Sequence, residues 1–471
     1  MKFVTVTRYF SLSALLFSTA YLFPSCEKLD QIPNPEKLDS AKKIISVVLK
    51  NIDSTIINTD VTVNIGEDSV IFNVPGNVSL SVLVPAITFK GVSITPATGT
   101  VQDFTNPVKY TITAADSTKK EYVIKVIRRD VVYIGATRRL LALDSKNGHI
   151  LWKDTVDGNF TYSTPLLHGD VLYAGSINGY MYAFNARNGK VIWKQWFTNI
   201  GIEGPATLNG NTLYVGSNDD YFTALDAATG EKKWAVLTRN NVSTKSVVYG
   251  NKVIFGSSDG YVYALDAANG SLVWKYATGG MIVASSPTLS NGVVFIGSRD
   301  YYLHAIDANT GLNKWKFDAG VSMEQAASAV ANGVVYAAGW YEMPPLNTAG
   351  SLYAINEFTG QKIWQALDTL GFSGPLCLDN GTIYISADDL NFYAVNAATG
   401  DVRWSKEILP NGAGAVVKNG IVYVGGGGTG FVYAFDAVSG AEIWTSPIPD
   451  IDTSTPAIGR KKARNPSFVL F

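Results

Sequence analysis

The sequence predicts an all-β protein, an eight-bladed β-propeller preceded by a small β-sandwich, and three observations carry that prediction. Across 471 residues, 46% are hydrophobic, only 16% are charged, and 44 are glycine. That is the profile of a folded chain of short strands and tight turns. Apolar and polar residues alternate in short runs such as "SVIFNV", "VKYTITA" and "VLYAGS", separated by Gly, Pro, Asn and Asp, which is strand rather than helix periodicity. From Val131 onward one unit recurs with a period near 40, and units of about four strands at that period are propeller blades.

Taken in chain order, residues 1–26 read as a targeting segment: basic Lys2 and Arg8, an apolar stretch from Tyr9 to Phe23, then "FPSC" ending at Cys26. The apolar stretch is short for a membrane span. A cysteine after a small residue at such a boundary resembles a bacterial lipobox, here with Phe23 where Leu is usual. The resemblance implies that Cys26 carries the lipid of an outer-membrane lipoprotein facing the periplasm or the cell surface. Cys377 would then be the only free cysteine, excluding an intramolecular disulfide; within "GPLCL" it reads as a small core residue. Residues 27–40, "EKLDQIPNPEKLDS", are polar and proline-bearing and read as a tether.

Residues 41–128 follow as a β-sandwich. Within them, "DFTNPVKYTITA" and "ADSTKKEYVIKV" resemble the Ig-like domains near the N-terminus of many Bacteroidetes surface and periplasmic lipoproteins. That resemblance implies a spacer that positions something else.

Residues 131–459 hold the repeat. Its unit, D/N-x3-G-x3-W, occurs eight times, ending at Trp152, Trp193, Trp234, Trp274, Trp315, Trp364, Trp404 and Trp444, with spacings of 41, 41, 40, 41, 49, 40 and 40. The Asp or Asn ends the third strand of a unit, where its side-chain oxygen can accept backbone N–H bonds, and the Gly supplies the positive φ that closes the hairpin. The Trp, expected four residues into the outer strand, faces a neighbouring blade, so the motif reads as a structural staple. The first unit starts at "VVYIGA" without an innermost strand, while "STPAIG" at 454–459 has no blade of its own. The last strand is therefore expected to complete the first blade and leave no long open edge. Residues 460–471 read as a solvated tail.

These eight motifs resemble the PQQ-like repeat propellers. The family includes quinoprotein dehydrogenases, which bind pyrroloquinoline quinone (PQQ) with Ca2+, and non-enzymatic BamB-type lipoproteins that scaffold outer-membrane protein assembly. The dehydrogenases carry a vicinal cysteine pair and long pocket insertions; neither is present here. His149, His168 and His304 fall in different blades, without metal-ligand spacing. "GSSDG" (256–260) and "GGGGTG" (425–430) match nucleophile and dinucleotide signatures by letter. No helix follows either, and both mechanisms need one.

The 49-residue spacing marks an insertion, "GWYEMPPLNTAG" at 339–350, which brings Trp340 and Tyr341 to a turn between second and third strands. Arg138, Arg139, Asn178, Asp219, Asp259, Arg299, Asp300, Asp388 and Asp389 occupy equivalent turns, so all are expected on one rim. Aromatics and arginines dominate interface energetics, which makes this rim, with Trp340, Tyr341, Arg138, Arg139, Asp388 and Asp389, the candidate binding surface. A formal charge of −1, more negative once Lys2 and Arg8 leave with the leader, gives nucleic acid no electrostatic hold. The favoured function is a non-catalytic envelope lipoprotein whose propeller binds a protein partner, with BamB-like assembly work as the family precedent and no cofactor. Two alternatives stand beside it: a glycan- or small-molecule-binding surface lipoprotein, and a PQQ-dependent dehydrogenase.

Overall fold

The computed structural model describes residues 39–459 except 52–61, 138, 155, 157–158, 161–163, 199, 326, 341–349, 373, 409–412, 428–429 and 449–453. Cys26, Arg138, Tyr341 and the tail lie outside the described residues, and so does the tether apart from its last two positions.

In the N-terminal region two sheets share one core. One holds five strands in the order Thr62–Ile65, Ser69–Val74, Lys119–Arg128, Val108–Thr113 and Ser93–Thr95; the other pairs Lys43–Lys50 with Val84–Lys90. Inward residues of both, including Ile44, Val47, Phe72, Ile87, Tyr110 and Ile124, form a single cluster. The alternation in "SVIFNV" accounts for this directly, since Val70, Phe72 and Val74 are fully buried and successive side chains point to opposite faces.

From Val131 onward the described residues form eight four-stranded sheets. The second sheet sets the pattern, with an inner strand Leu166–His168, then Val171–Gly175, Tyr180–Asn185 and an outer strand Val191–Trp196, all antiparallel. The first sheet is assembled from both ends of the chain: Ala457–Gly459 pairs with Val131–Ala136, followed by Arg139–Asp144 and Ile150–Lys153. Each neighbouring pair of sheets buries its own apolar cluster. Ile254 and Val262 of the fourth meet Val294 and Ile306 of the fifth, and Tyr423 and Val432 of the eighth meet Val132 and Leu143 of the first. The ring is thus closed, as the position of "STPAIG" implied. Ser454, fully buried, accepts a hydrogen bond from the Gly135 N–H at 3.1 Å, and Lys418 of the eighth sheet pairs with Asp130 at 3.3 Å.

Antiparallel order gives the ring two ends. Turns joining first to second and third to fourth strands lie at one end; turns joining second to third strands, with the connections between sheets, lie at the other. The N-terminal region enters where Val131 begins a second strand, and so joins the first end. Arg129 fixes that junction. Its guanidinium, one tenth exposed, meets the buried carboxylate of Asp144 at 2.6 Å and donates to the Asn73 carbonyl at 3.1 Å.

Candidate functional site

At the first end the repeated motif makes one contact eight times. In the third sheet, Asp226 Oδ1 accepts from the N–H groups of Ala228 (2.9 Å) and Thr229 (3.1 Å), and Gly230 turns the chain at φ +77°. Trp193 of the preceding sheet lies against that glycine, where an added Cβ would sit 2.6 Å from the indole Cε3. Its Nε1–H donates to the Ala227 carbonyl at 3.1 Å. The same donation runs from Trp152 to Ala186, Trp234 to Ala267, Trp274 to Ala308, Trp315 to Glu357, Trp364 to Ala397, Trp404 to Ala437 and, across the seam, Trp444 to Ser145.

Each Trp is the third residue of its strand, not the fourth. A bulge precedes it: Phe184 pairs with Val191 but Ala183 with Trp193, leaving Ile192 as the extra residue. The bulge breaks the period-2 alternation and turns the indole toward the next sheet, leaving Ile192 half exposed.

The other end repeats backbone bonds between a turn and the preceding connection, as from the Asn218 N–H to the Gly201 carbonyl at 3.1 Å, Ser258 to Asn241 at 2.9 Å and Arg299 to Met281 at 2.9 Å, but its side chains vary. Trp340 is half-buried, and its N–H donates to the Ser322 carbonyl at 2.8 Å. Asp388 lies close by in the next sheet: the Gly371 N–H donates to Asp388 Oδ1 at 2.9 Å, and the following residue, Phe372, donates its N–H to the Gly339 carbonyl at 3.2 Å. Burial raises the Asp388 carboxyl above the usual range. Asp389 accepts the Tyr393 hydroxyl at 2.5 Å. Trp340, Asp388 and Asp389 thus occupy adjoining sheets, the sixth and seventh, whereas Arg139 opens the third strand of the first sheet and is not brought to them.

The expectation of a row of freely presented charges needs correction. Asp259 accepts the Tyr263 hydroxyl at 2.6 Å, and Asp219 accepts from Ser217 Oγ at 2.5 Å. Asp300 meets His304 Nε2 at 3.0 Å, while the other ring nitrogen contacts the Tyr276 hydroxyl at 3.1 Å. A turn aspartate lies within reach of the third residue of the following strand, and Asp259 also accepts the Arg239 N–H of the preceding connection at 3.2 Å, so these side chains are already engaged. His304 is fully buried in this chain of contacts, whereas His149 and His168 are exposed in other sheets. Ser258 donates to the Ile282 carbonyl at 3.3 Å in a turn, without the helix a nucleophile needs.

No group of three His, Cys, Asp or Glu side chains converges among the described residues. The only two cysteines of the sequence, Cys26 and Cys377, are far apart, so these residues do not fit a quinone centre built on a vicinal cysteine pair with calcium. Cys377 lies in the inner strand of the seventh sheet, packed against Tyr384 and Val422, and burial pushes its thiol up to about 12.

Comparison with known proteins gives two family matches. Residues 42–126 match the family described as "SGBP, N-terminal", a surface glycan-binding protein domain of Bacteroidetes. No curated protein sequence matches the chain. Among solved structures, BamB from Moraxella catarrhalis superposes with a TM-score of 0.51 at 21% identity, covering 65% of this chain and 88% of that one. The computationally designed Ika8 protein gives 0.53 at 17%, covering 66% and 92%. A quinohemoprotein alcohol dehydrogenase from Pseudomonas putida HK5 gives 0.52 at 18%, covering 64% and 68%. At these identities the likeness is one of fold. The other family match covers residues 136–282, 252–343 and 348–461, well over half of the sequence, and the chain therefore belongs to the PQQ-repeat propeller family described as outer membrane protein assembly factor BamB.

Proposed function

We propose that this chain is a non-catalytic envelope lipoprotein, anchored through Cys26, whose eight sheets are the blades of one rigid propeller that binds a protein partner at its free end. In this reading residues 27–40 are a tether, 41–128 an Ig-like spacer and 131–459 the propeller. The observation that carries it is the asymmetry of the ring. One end is consumed by eight Trp contacts and by the junction at Arg129, while the opposite end carries the departures from the repeat, Trp340 foremost. Membership of the BamB family supports an outer-membrane setting and a protein partner.

The test is co-purification of the full chain from detergent-solubilised envelope, followed by reconstitution with the purified partner. Trp340→Ala/Tyr341→Ala is expected to weaken the reconstituted complex, and unaltered affinity would remove the free end from the proposal. A second reading, glycan binding at the cell surface, draws on the match of residues 42–126 to the surface glycan-binding family. Retardation of the chain in polysaccharide-containing native gels, with no protein partner recovered, would favour it instead. We assign no role to PQQ or Ca2+, because the donor set described above does not fit them.

A further inference from the structure

Apart from its two ends, the ring has an outer wall, and one register of that wall is uneven. The residue after the motif Trp is lysine in the first, second, fourth and fifth sheets, at Lys153, Lys194, Lys275 and Lys316, and uncharged in the other four. All four lysines are exposed, and among the described residues none has a carboxylate partner. The outer strands of the first five sheets hold a single acidic residue, Asp318, whose Oδ1 accepts the Gly320 N–H at 2.9 Å. One side of the wall is therefore basic in a chain of formal charge −1.

Three of these lysines are held in place. The Lys194 ammonium lies 5.3 Å from the centroid of the Tyr180 ring, that of Lys275 4.5 Å from Tyr261 and that of Lys316 5.5 Å from Tyr302. Each of these tyrosines opens the third strand of its sheet, which sets the contacts toward the free end. A ring face fixes a cation without neutralising it, so less side-chain freedom remains to be lost when an anion arrives. Beside the cations the wall is apolar. Trp196, paired with Tyr180, is 50% exposed, and Leu237, paired with Tyr221 at the same register of the third sheet, is 60% exposed.

We infer that the outer wall of the first five sheets is a docking surface for an acidic segment of a protein partner, whose carboxylates meet these lysines and whose apolar side chains cover Trp196 and Leu237. Charge complementarity selects the occupant. Fixed cations without carboxylates, set beside exposed apolar side chains, suit a polypeptide that carries both kinds of group; a uniform polyanion would leave Trp196 and Leu237 in water. The surface is separate from the sixth-sheet rim at Trp340, so either can fail without the other.

Fluorescence anisotropy of the full chain with a labelled peptide of alternating Glu and Leu pairs, with sodium alginate as a polyanion lacking apolar side chains, tests it. Saturable binding of the peptide that weakens as sodium chloride is added is expected. The triple change Lys194→Gln/Lys275→Gln/Lys316→Gln should weaken it at least about tenfold, and Trp196→Ala/Leu237→Ala should weaken it as well. Removing the same charge from the N-terminal region, by Lys43→Gln/Lys90→Gln/Lys125→Gln, should leave it nearly unchanged. All of these side chains are exposed, so melting curves should match wild type. Absence of saturable binding, or equal losses in the two triple variants, would overturn the assignment. Alginate binding as tightly as the peptide, with no effect of Trp196→Ala/Leu237→Ala, would overturn it in favour of a polysaccharide.

Discussion

The two ends of the ring are made from the same strands and yet differ throughout. At the docking end every hairpin receives an indole from the preceding sheet, so the Asp or Asn, the Gly and the accepting carbonyl must keep one geometry in all eight copies. At the free end the turns between second and third strands satisfy their own polar groups, as Asp259 does with Tyr263 and Asp300 with His304. Their side chains can therefore differ from turn to turn, although Asp259 also accepts the Arg239 N–H and Asp388 the Gly371 N–H of the preceding connection. The docking contacts enforce repetition of side chains, whereas the free end repeats backbone bonds between sheets, such as Asn218 to Gly201 and Ser258 to Asn241, and lets its side chains vary.

The largest effect is expected from breaking the ring itself. Deleting residues 454–471 removes the Ala457–Gly459 ladder, the buried Ser454 bond to Gly135 and the packing of Ile458 against the first sheet. Deleting 460–471 leaves all three. The first truncation should lose cooperative thermal unfolding or melt far below the second, because it exposes an open strand edge; equal melting temperatures would refute closure by this strand.

Next in size are the contacts of the docking end. Trp274 is 9% exposed and bonded to Ala308, and Trp274→Ala should cost roughly 3–5 kcal/mol in chemical denaturation. Arg129→Met should fall in a similar range, since removing one partner of a buried pair leaves Asp144 uncompensated at about 3–5 kcal/mol. It should also speed hydrogen exchange at the junction near Asn73, which Trp274→Ala should not do.

A finer contrast separates two kinds of turn glycine. Gly311 (φ +74°) faces Trp274 so closely that a Cβ would sit 2.7 Å from the ring, whereas Gly250 (φ +60°) has nothing within 4 Å. Gly250→Ala should cost only the left-handed strain, about 1–2 kcal/mol. Gly311→Ala should add overpacking of roughly 1–3 kcal/mol, and equal denaturation midpoints for the two would mean that the indole moves aside freely.

Much of this architecture was legible in the sequence, because a 40-residue period and the Asp, Gly and Trp of each unit are local signals. The Asx-turn at Asp226, the strand order of a unit and the completing strand all followed from them. What sequence reasoning missed depends on partners distant in the chain. Alternation in "SVIFNV" gives the buried face but not that this strand pairs in parallel with Lys119–Arg128. Asp144 looked like any other motif aspartate, yet it holds Arg129. Gly230 was read for its φ alone, although the Trp193 ring also excludes a side chain there. The bulge at Ile192 had a visible trace, two consecutive apolar residues before Trp193.

The smallest effect on stability, and the one that tests the comparison most directly, is expected at the insertion. Trp340 is half-buried, and its backbone N–H donates to the Ser322 carbonyl; that bond survives any side-chain replacement. The double change Trp340→Ala/Tyr341→Ala should therefore cost no more than about 1–2 kcal/mol, well under the loss for a core indole. If the free end binds the partner, the same change should weaken the complex by more than about 1 kcal/mol, because aromatics carry a large share of interface energy. The two variants should then behave as opposites: Trp274→Ala melts early but binds normally below its transition, and the double variant melts near wild type but binds poorly. A double variant that loses as much stability as Trp274→Ala while binding normally would make the insertion part of the packing, and the division between a gripping end and a presenting end would not hold at the sixth sheet.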